Sequence, residues 1–190
     1  MINILVSTYN RPRSLKLFLS MLEVQTYQDF RVIVLDESVD PKITAKNMKL
    51  CKPLRRVNHV KCSDYNDWGQ TAKERAILSL SEHANNIDSL VIVPNDDAYY
   101  VPTAFAEFVK GMEGNDMVYC DWLWDMDRYK PQQALPTTGR IDVGGFMTRV
   151  GIIKDLGWND KGPEGDGKLI ERIAEKYKVN KAEGILYVKN

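Results

Sequence analysis

Short apolar runs alternate with segments of helical periodicity through the first half of the chain. The runs predict strands at Ile2–Val6, Phe30–Leu35, Val57–Cys62 and Ser89–Val93. Between these strands, apolar residues three or four positions apart predict helices. The predicted helices are the segment after Pro12 that carries Leu15, Phe18, Leu19 and Leu22, and the segments Pro41–Cys51, Gln70–His83 and Pro102–Met112.

The second half of the chain continues this alternation less regularly. Its predicted elements are strands at Met117–Trp122, Arg140–Met147 and Ile185–Val188, and helices at Arg149–Leu156 and Lys168–Tyr177. Residues 125–139, rich in proline, glutamine and threonine, are interpreted as a long loop. The alternation predicts a single α/β domain with a mostly parallel central sheet flanked by helices. In such sheets, ligands bind beyond the carboxyl ends of the strands.

Composition and charge narrow the functional classes. Lys+Arg and Asp+Glu each total 26, and this zero net charge disfavours a dedicated nucleic-acid binder. The three cysteines are widely spaced, which argues against a disulfide framework and against a structural zinc site. The first apolar run is too short for a signal peptide, and no run approaches the roughly 18 residues that cross a bilayer. We therefore expect a cytoplasmic protein, with peripheral membrane contact left open.

Polar side chains follow three predicted strands at the point where each strand ends. The segment Ser7–Arg11 follows the first, Asp36 ends the second, and Asn95–Asp97 follows Ser89–Val93. In a parallel sheet all three groups would lie at one edge. Neighbouring carboxylates repel each other, and Mg²⁺ or Mn²⁺ bound together with substrate phosphates relieves that repulsion. The alternatives are an ordinary Asn-Asp-Asp turn, a capping or strand-end role for Asp36, and a helix start at Asn10–Pro12.

Taken together, these segments carry a resemblance to a known family. The residues that carry it are Val6–Arg11, Leu15, Leu19, Ser20, Leu22, Gln25–Tyr27, Phe30–Asp36, Gly69, Ala72, Arg75 and Val91–Asp97. They resemble the opening of the family-2 glycosyltransferases with the GT-A fold. Gly144–Met147, Ile152–Asp160 and Asp166 with Leu169 and Arg172 resemble the later acceptor and catalytic-base segments. The resemblance spans about residues 2–175.

The resemblance implies an enzyme that moves a sugar from a nucleotide-diphosphate sugar to an acceptor hydroxyl with inversion. It places a nucleotide-binding half at about residues 1–98 and an acceptor and catalytic-base half at about residues 99–190. The implied donor-binding residues are Thr8, Tyr9, Arg11, Asp36 and Asp96. The implied metal ligand for Mn²⁺ or Mg²⁺ is Asp97, with Asp96 beside it, and the implied general base is Asp166. UDP is the commonest donor nucleotide among such relatives.

Some positions depart from the family pattern and leave alternatives open. Gly165-Asp166 stands where the family usually has Glu-Asp, so Glu164 is the alternative base. The Gln-x-x-Arg-Trp motif of processive synthases is absent, which favours transfer of a single sugar. The expected acceptor residues are Gly144, Gly145, Trp122 and Trp124, although aromatic residues more often belong to the core. A glycan, a lipid-linked sugar, a protein or a modified nucleic-acid base remains open as acceptor, as does the oligomeric state.

Two rival functions belong to other classes. A nucleotidyltransferase would carry a glycine-rich loop after the first strand, and Ser7–Arg13 contains no glycine. A catalytically inactive relative that binds nucleotide sugars or carbohydrates is the stronger alternative, because the Glu-Asp pair is incomplete.

Overall fold

The computed structural model describes residues 1–63, 66–82 and 86–190 of the chain. The helices are α1 (Pro12–Glu23), α2 (Pro41–Cys51), α3 (Gln70–Ser81), α4 (Ala104–Gly111), α5 (Val150–Leu156) and α6 (Gly165–Lys176). The strands are β1 (Ile2–Thr8), β2 (Phe30–Asp36), β3 (Val57–Lys61), β4 (Leu90–Ile92), β5 (Ala98–Tyr100), β6 (Met117–Trp124), β7 (Lys130–Gln132), β8 (Phe146–Arg149) and β9 (Val179–Lys189). In the described part of the chain, none of the helices combines the length and apolarity needed to span a bilayer.

The strands form one sheet with two differently built sides. Their order is β3-β2-β1-β4-β8-β6-β9-β5, with β7 paired to β6. From β3 to β4 every pairing is parallel. Beyond β4, only β6 and β9 pair in parallel, and the other pairings are antiparallel. The predicted α/β class is confirmed, and the expected parallel pairing holds on the side that contains β1.

Helices cover both faces of the sheet because each has one apolar stripe. On one face, α1 and α4 bury Phe18 and Phe105 in a cluster that includes Ile4 of β1. On the other face, α3, α5 and α6 form a second cluster, in which Ile77 and Ile170 are buried. All seven residues of β1 are buried, which explains why its sequence is a continuous apolar run rather than an alternating one.

The segment before β8 differs from its prediction. Residues 143–145 form a 3-10 turn and the strand begins only at Phe146, so the predicted strand Arg140–Met147 is wrong over its first part. The physical reason is local, since the Asp142 carboxylate accepts the backbone N–H of Gly144 (3.1 Å) and bends the chain there. Side-chain hydrogen bonds of this kind favour turns over strands.

Other boundaries also moved. Helix α6 begins three residues before the predicted Lys168, and β9 begins well before the predicted Ile185. The short strands β5 and β7 were not predicted, because three residues are too few for a periodic signal. Helix α3 ends at Ser81, and the predicted helical residues His83 and Ala84 lie outside the described residues.

Candidate active site

The parallel side of the sheet brings the three predicted polar segments to one edge. In the register of β1 and β2, Thr8 lies opposite Asp36. Ser7 forms an isolated parallel bridge with Asn95, which follows β4. The Ser7 hydroxyl also donates to Asn95 Oδ1 (2.7 Å). Segments that are 28 and 88 residues away along the chain therefore meet at the carboxyl end of β1, as the sequence predicted.

The acidic turn after β4 is tied to the segment after β1 by charged hydrogen bonds. The Thr8 hydroxyl donates to Asp96 Oδ2 (2.6 Å). The Arg11 guanidinium contacts Asp96 and also donates to Asp97 Oδ2 (3.0 Å). Burial raises the pKa of Asp96 to about 6, against the opposing effects of Arg11 and Thr8. Asp96 is fully enclosed, whereas the Asp97 side chain is 20% exposed, so Asp97 is the carboxylate that a ligand can reach.

Asp36 lies at the same edge but does not face solvent. Its carboxylate accepts the backbone N–H of Ser38 (2.9 Å) and the Asn47 amide (3.1 Å), and it lies 2.8 Å from Nε2 of His59. Burial alone would raise its pKa, but these hydrogen bonds outweigh burial, and the pKa of Asp36 is lowered. The Asp36 carboxylate therefore links the end of β2 to β3 and to α2, and it has no exposed surface.

A cleft of about 420 Å³ opens beside these residues. One wall consists of residues that the sequence predicted, among them Thr8, Tyr9 and Arg11. A second wall consists of Glu37, Asn66, Asp67, Trp68 and Gly69, of which the sequence analysis had named only Gly69. Tyr9 is exposed, and Trp68 is 64% exposed, so the cleft offers two aromatic faces to a planar ligand.

The close approach of that second wall depends on Gly69. Its φ is +81°, and a Cβ at this position would lie 2.6 Å from the Ser7 side chain. Only glycine fits both the left-handed backbone and this contact. In the sequence, only Gly69 pointed to this wall, through the family resemblance. Trp68, the residue before it, belongs to no motif that the sequence analysis identified.

Asp166 lies in the first turn of α6 and is partly buried, directly after Gly165, which packs against Gln70 of α3. Burial raises its pKa and Asp142 adds to the rise, whereas the Gly167 amide, Lys73 and Lys189 oppose it. Asp97 and Asp166 both act to raise the pKa of Lys73 and the pKa of Lys189. Asp97 and Asp166 thus share one electrostatic neighbourhood. Glu164, the alternative base, is exposed at the position that precedes α6.

The glycine of the Gly165-Asp166 pair has a steric cause. A Cβ at position 165 would lie 2.2 Å from the Asp160 carbonyl oxygen and 2.5 Å from the side chain of Gln70. A glutamate therefore cannot occupy this position while α6 packs against α3 as it does. The departure from the family pattern reflects close packing here and leaves Asp166 in place.

A buried network that the sequence did not predict centres on Asp142. Its carboxylate accepts hydrogen bonds from the Tyr187 hydroxyl and the Lys189 ammonium, in addition to the Gly144 N–H. Gly144 is buried against the Tyr187 ring, where a Cβ would lie 3.1 Å from ring carbons, and Gly145 is buried beside it. Gly144, which the sequence places at the acceptor together with Gly145, lets the chain pass closely over Tyr187.

An aromatic platform extends outward from this network. Trp122 stacks on Tyr187 with ring centroids 6.1 Å apart, and Trp124 lies 6.0 Å from Trp122. Lys189 Nζ lies 5.9 Å above the Trp122 ring. Trp122 is partly buried and Trp124 is 36% exposed, so the platform begins in the core and ends in solvent. Such a surface suits the apolar face of a sugar ring.

The described residues could hold a divalent cation only if phosphate oxygens of a bound ligand completed its coordination shell. Among the described residues, no group of three histidine, cysteine or carboxylate side chains forms a metal cluster. Asp97 offers one reachable carboxylate, and Asp96 lies enclosed behind it. Mg²⁺ and similar ions commonly bind through one or two carboxylates and complete their shell with phosphate oxygens and water. The residues therefore fit a cation that arrives together with a diphosphate.

Comparison with known proteins identifies the fold. No protein-family model and no curated protein matches the chain. Among solved structures, S. aureus TarS 1–349 is similar with a TM-score of 0.75 and 13% identity, over 100% of this chain and 60% of that one. TarS 1–349 in complex with UDP gives a TM-score of 0.76 at 13% identity, over 98% of this chain and 59% of that one.

A third solved structure extends the likeness to another organism. The mannosyltransferase PcManGT from Pyrobaculum calidifontis, in complex with GDP-Man and Mn²⁺, has a TM-score of 0.74 and 17% identity, over 99% of this chain and 56% of that one. The chain thus spans somewhat more than half the length of these three solved chains. The fold is that of GT-A-type glycosyltransferases, as the sequence resemblance predicted.

Proposed function

We propose that the chain is a glycosyltransferase that transfers one sugar from a nucleotide-diphosphate sugar to an acceptor hydroxyl. The observation that carries the proposal is the arrangement of charges beside one cleft on this fold. Arg11 lines the cleft and donates to Asp97, and Asp97 and Asp166 both act to raise the pKa values of Lys73 and Lys189. Such an arrangement suits a reaction that separates a diphosphate from a sugar while a proton leaves the acceptor.

On the donor side, the cleft beside Thr8, Tyr9 and Trp68 would hold the nucleoside. Arg11 would bind the diphosphate, and Asp97, with Asp96 behind it, would hold Mn²⁺ or Mg²⁺. The cation supplies a Lewis acid that stabilises negative charge on the departing diphosphate. TarS has been solved with UDP and PcManGT with GDP-Man and Mn²⁺. We propose UDP as the first nucleotide to test.

On the acceptor side, Asp166 would accept the proton of the acceptor hydroxyl as that oxygen attacks the anomeric carbon. The bond from the anomeric carbon to the diphosphate breaks, and a direct displacement of this kind inverts the anomeric centre. A general base must lie within about 2.6–3.2 Å of the oxygen it deprotonates. The platform of Trp122 and Trp124 would place the acceptor sugar, and the raised pKa of Asp166 favours its service as a base.

A thermal-shift screen of nucleotides and nucleotide sugars, with and without Mn²⁺, tests donor binding. A ligand at one hundred times its dissociation constant stabilises the folded state by about 2.7 kcal/mol, so the correct nucleotide stands out. Release of nucleoside diphosphate from the best donor then tests the chemistry. No stabilisation by any nucleotide, with or without Mn²⁺, would contradict the proposal.

The second candidate is a binding module without turnover. The observation that favours it is the Arg11 guanidinium, which forms ion pairs with both Asp96 and Asp97. The same screen separates the two candidates. Donor binding without release of diphosphate, across a panel of donors and acceptors, would favour the binding module.

A further inference from the structure

Lys73 is a fully buried lysine next to the proposed site. It lies in the first turn of α3, four residues after Gly69, which precedes the helix, and it is only 1% exposed. Lysine is almost never fully buried unless it is paired.

Stability does not explain the charge. Burial lowers the pKa of Lys73 to about 8, even though Asp166, Asp142, Asp97 and Glu37 all act to raise it. The surroundings as a whole therefore disfavour the charged ammonium relative to water. Residues retained against such a cost are typical of functional sites.

The Lys73 ammonium contacts the donor side directly. Its Nζ donates to Asn95 Oδ1 (2.7 Å), the same oxygen that accepts the Ser7 hydroxyl. Asn95 begins the acidic turn that carries Asp96 and Asp97. The orientation of this turn is therefore fixed from β1 by Ser7 and from α3 by Lys73.

The segment that carries Asp166 packs against the helix that carries Lys73. Gln70, one turn before Lys73 on α3, donates to the Gly162 carbonyl oxygen (2.8 Å), and Gly165 packs directly against the Gln70 side chain. In this setting Asp166 acts to raise the pKa of Lys73, and Lys73 in turn opposes the rise in the pKa of Asp166.

The other charged groups that act on Asp166 are Asp142 and Lys189. Lys189 is committed to Asp142 by an ion pair, whereas Lys73 makes its hydrogen bond to the neutral Asn95.

We propose that Lys73 is a positioning residue that links the donor-side turn to Asp166 through a buried positive charge. Its ammonium holds Asn95 in place and favours the ionised, proton-accepting form of Asp166 inside a partly buried site. The inference rests on the proposed glycosyltransferase function. It goes further by assigning one side chain to both halves of the reaction.

The kinetic test replaces the charge with a side chain of similar length. In Lys73→Met we expect kcat to fall by roughly 10²-fold, the loss typical of a misplaced reacting group. The donor dissociation constant should rise by no more than about threefold, because Ser7 still holds Asn95 from β1. The acidic limb of the pH–rate profile should move to higher pH by about one unit, because Asp166 loses a neighbouring positive charge. The matched control is Lys161→Met, which breaks an ion pair to Glu74, the residue next to Lys73, outside the cleft.

Two outcomes of the kinetic test would overturn the inference. One is a Lys73→Met enzyme with kcat within threefold of wild type. The other is a loss of kcat that Lys161→Met reproduces. A wild-type protein that binds donor but releases no diphosphate would instead count against the proposed function, and the next measurement still tests Lys73.

The second measurement needs neither turnover nor a Lys73 variant. The pKa of Lys73 is followed by NMR of its side-chain nitrogen in the wild type and in Asp166→Asn. Removal of the Asp166 charge should lower the pKa of Lys73 by about one unit, because an attractive neighbour is lost. Glu164→Asn, which removes an exposed carboxylate two positions earlier, should leave it unchanged. An unchanged pKa in Asp166→Asn overturns the inference.

Discussion

The two sides of the candidate site are built in different ways. The donor side uses the carboxyl ends of parallel neighbouring strands, so polar residues that directly follow apolar runs are delivered to one edge by the sheet itself. The acceptor side lies where the sheet is mixed, and its Asp142, Asp166, Tyr187 and Lys189 come from a turn, a helix and the last strand. Local sequence patterns therefore describe the first side far better than the second.

The difference also appears in how the carboxylates are used. At the donor edge, Asp36 is buried and hydrogen-bonded within the protein, whereas the side chain of Asp97 is partly exposed to solvent. On the acceptor side, the Asp142 carboxylate is likewise bonded within the protein, to Tyr187 and Lys189, and Asp166 is partly exposed. Each side thus pairs one structural carboxylate with one that a substrate can reach, and substitutions can test this division.

The largest expected effect belongs to the reachable carboxylate of the acceptor side. Asp166→Asn should lower kcat by about 10³-fold, within the range for loss of a general base, and leave donor affinity nearly unchanged. Steady-state kinetics and calorimetric titration of the donor measure the two quantities. Glu164→Gln is the control and should behave like wild type. The opposite result, with Glu164→Gln inactive, would transfer the role of base to Glu164.

The reachable carboxylate of the donor side should give the next largest effect, and on binding instead of turnover. Asp97→Asn should weaken donor binding in the presence of Mn²⁺ by about 10²-fold, because the cation loses its protein carboxylate. Titration of the donor with Mn²⁺ and with a chelator measures it. The exposed Asp127→Asn is a matched control. Equal donor affinity in all these conditions would remove the metal from the proposal.

A structural carboxylate should respond in stability instead. Asp36→Ala should lower the free energy of unfolding by about 2–3 kcal/mol at pH 7. The reason is that the buried donors which bond to the Asp36 carboxylate in the wild type would lose their partner. The pKa of Asp36 is lowered in the folded state, so its contribution is complete above its unfolded pKa and is lost as the pH falls through the lower folded value. The difference in the free energy of unfolding between wild type and Asp36→Ala should therefore become smaller in strong acid.

Urea unfolding at pH 7 and at pH 3 checks this expectation for Asp36. The N-cap residue of α2 provides the comparison, since Asp40→Ala should cost only about 1 kcal/mol. If Asp36→Ala instead lost donor affinity with unchanged stability, Asp36 would belong to the nucleotide site, as the family resemblance implies.

The smallest effect is expected at the outer end of the aromatic platform. Trp124→Ala should raise the acceptor KM by about fivefold, near the 1 kcal/mol typical of one aromatic contact, and leave donor binding unchanged. Met126→Ala is the control, because Met126 is 81% exposed and makes no ring contact that the structure records. An unchanged acceptor KM in Trp124→Ala would move the acceptor away from the platform.

The resemblance and the periodicity together anticipated most of the donor side. Thr8, Arg11, Asp96 and Asp97 could be predicted because each directly follows an apolar run, and a parallel sheet aligns such positions. The inaccessibility of Asp36 could not be predicted, since it depends on His59 and Asn47, which approach from β3 and α2. Trp68 and Lys73 were missed because a lone tryptophan or a lysine within a helical pattern is ordinary in sequence.

The sequence by itself determined which segments become strands and helices and which polar residues stand at the ends of the first strands, because hydrophobic periodicity is a local property of the chain. The tertiary structure alone decided which carboxylates are enclosed and which are reachable, and it buried Lys73 against Asn95. Burial and charge environment depend on residues far apart along the chain, and only the packed fold places these residues next to one another.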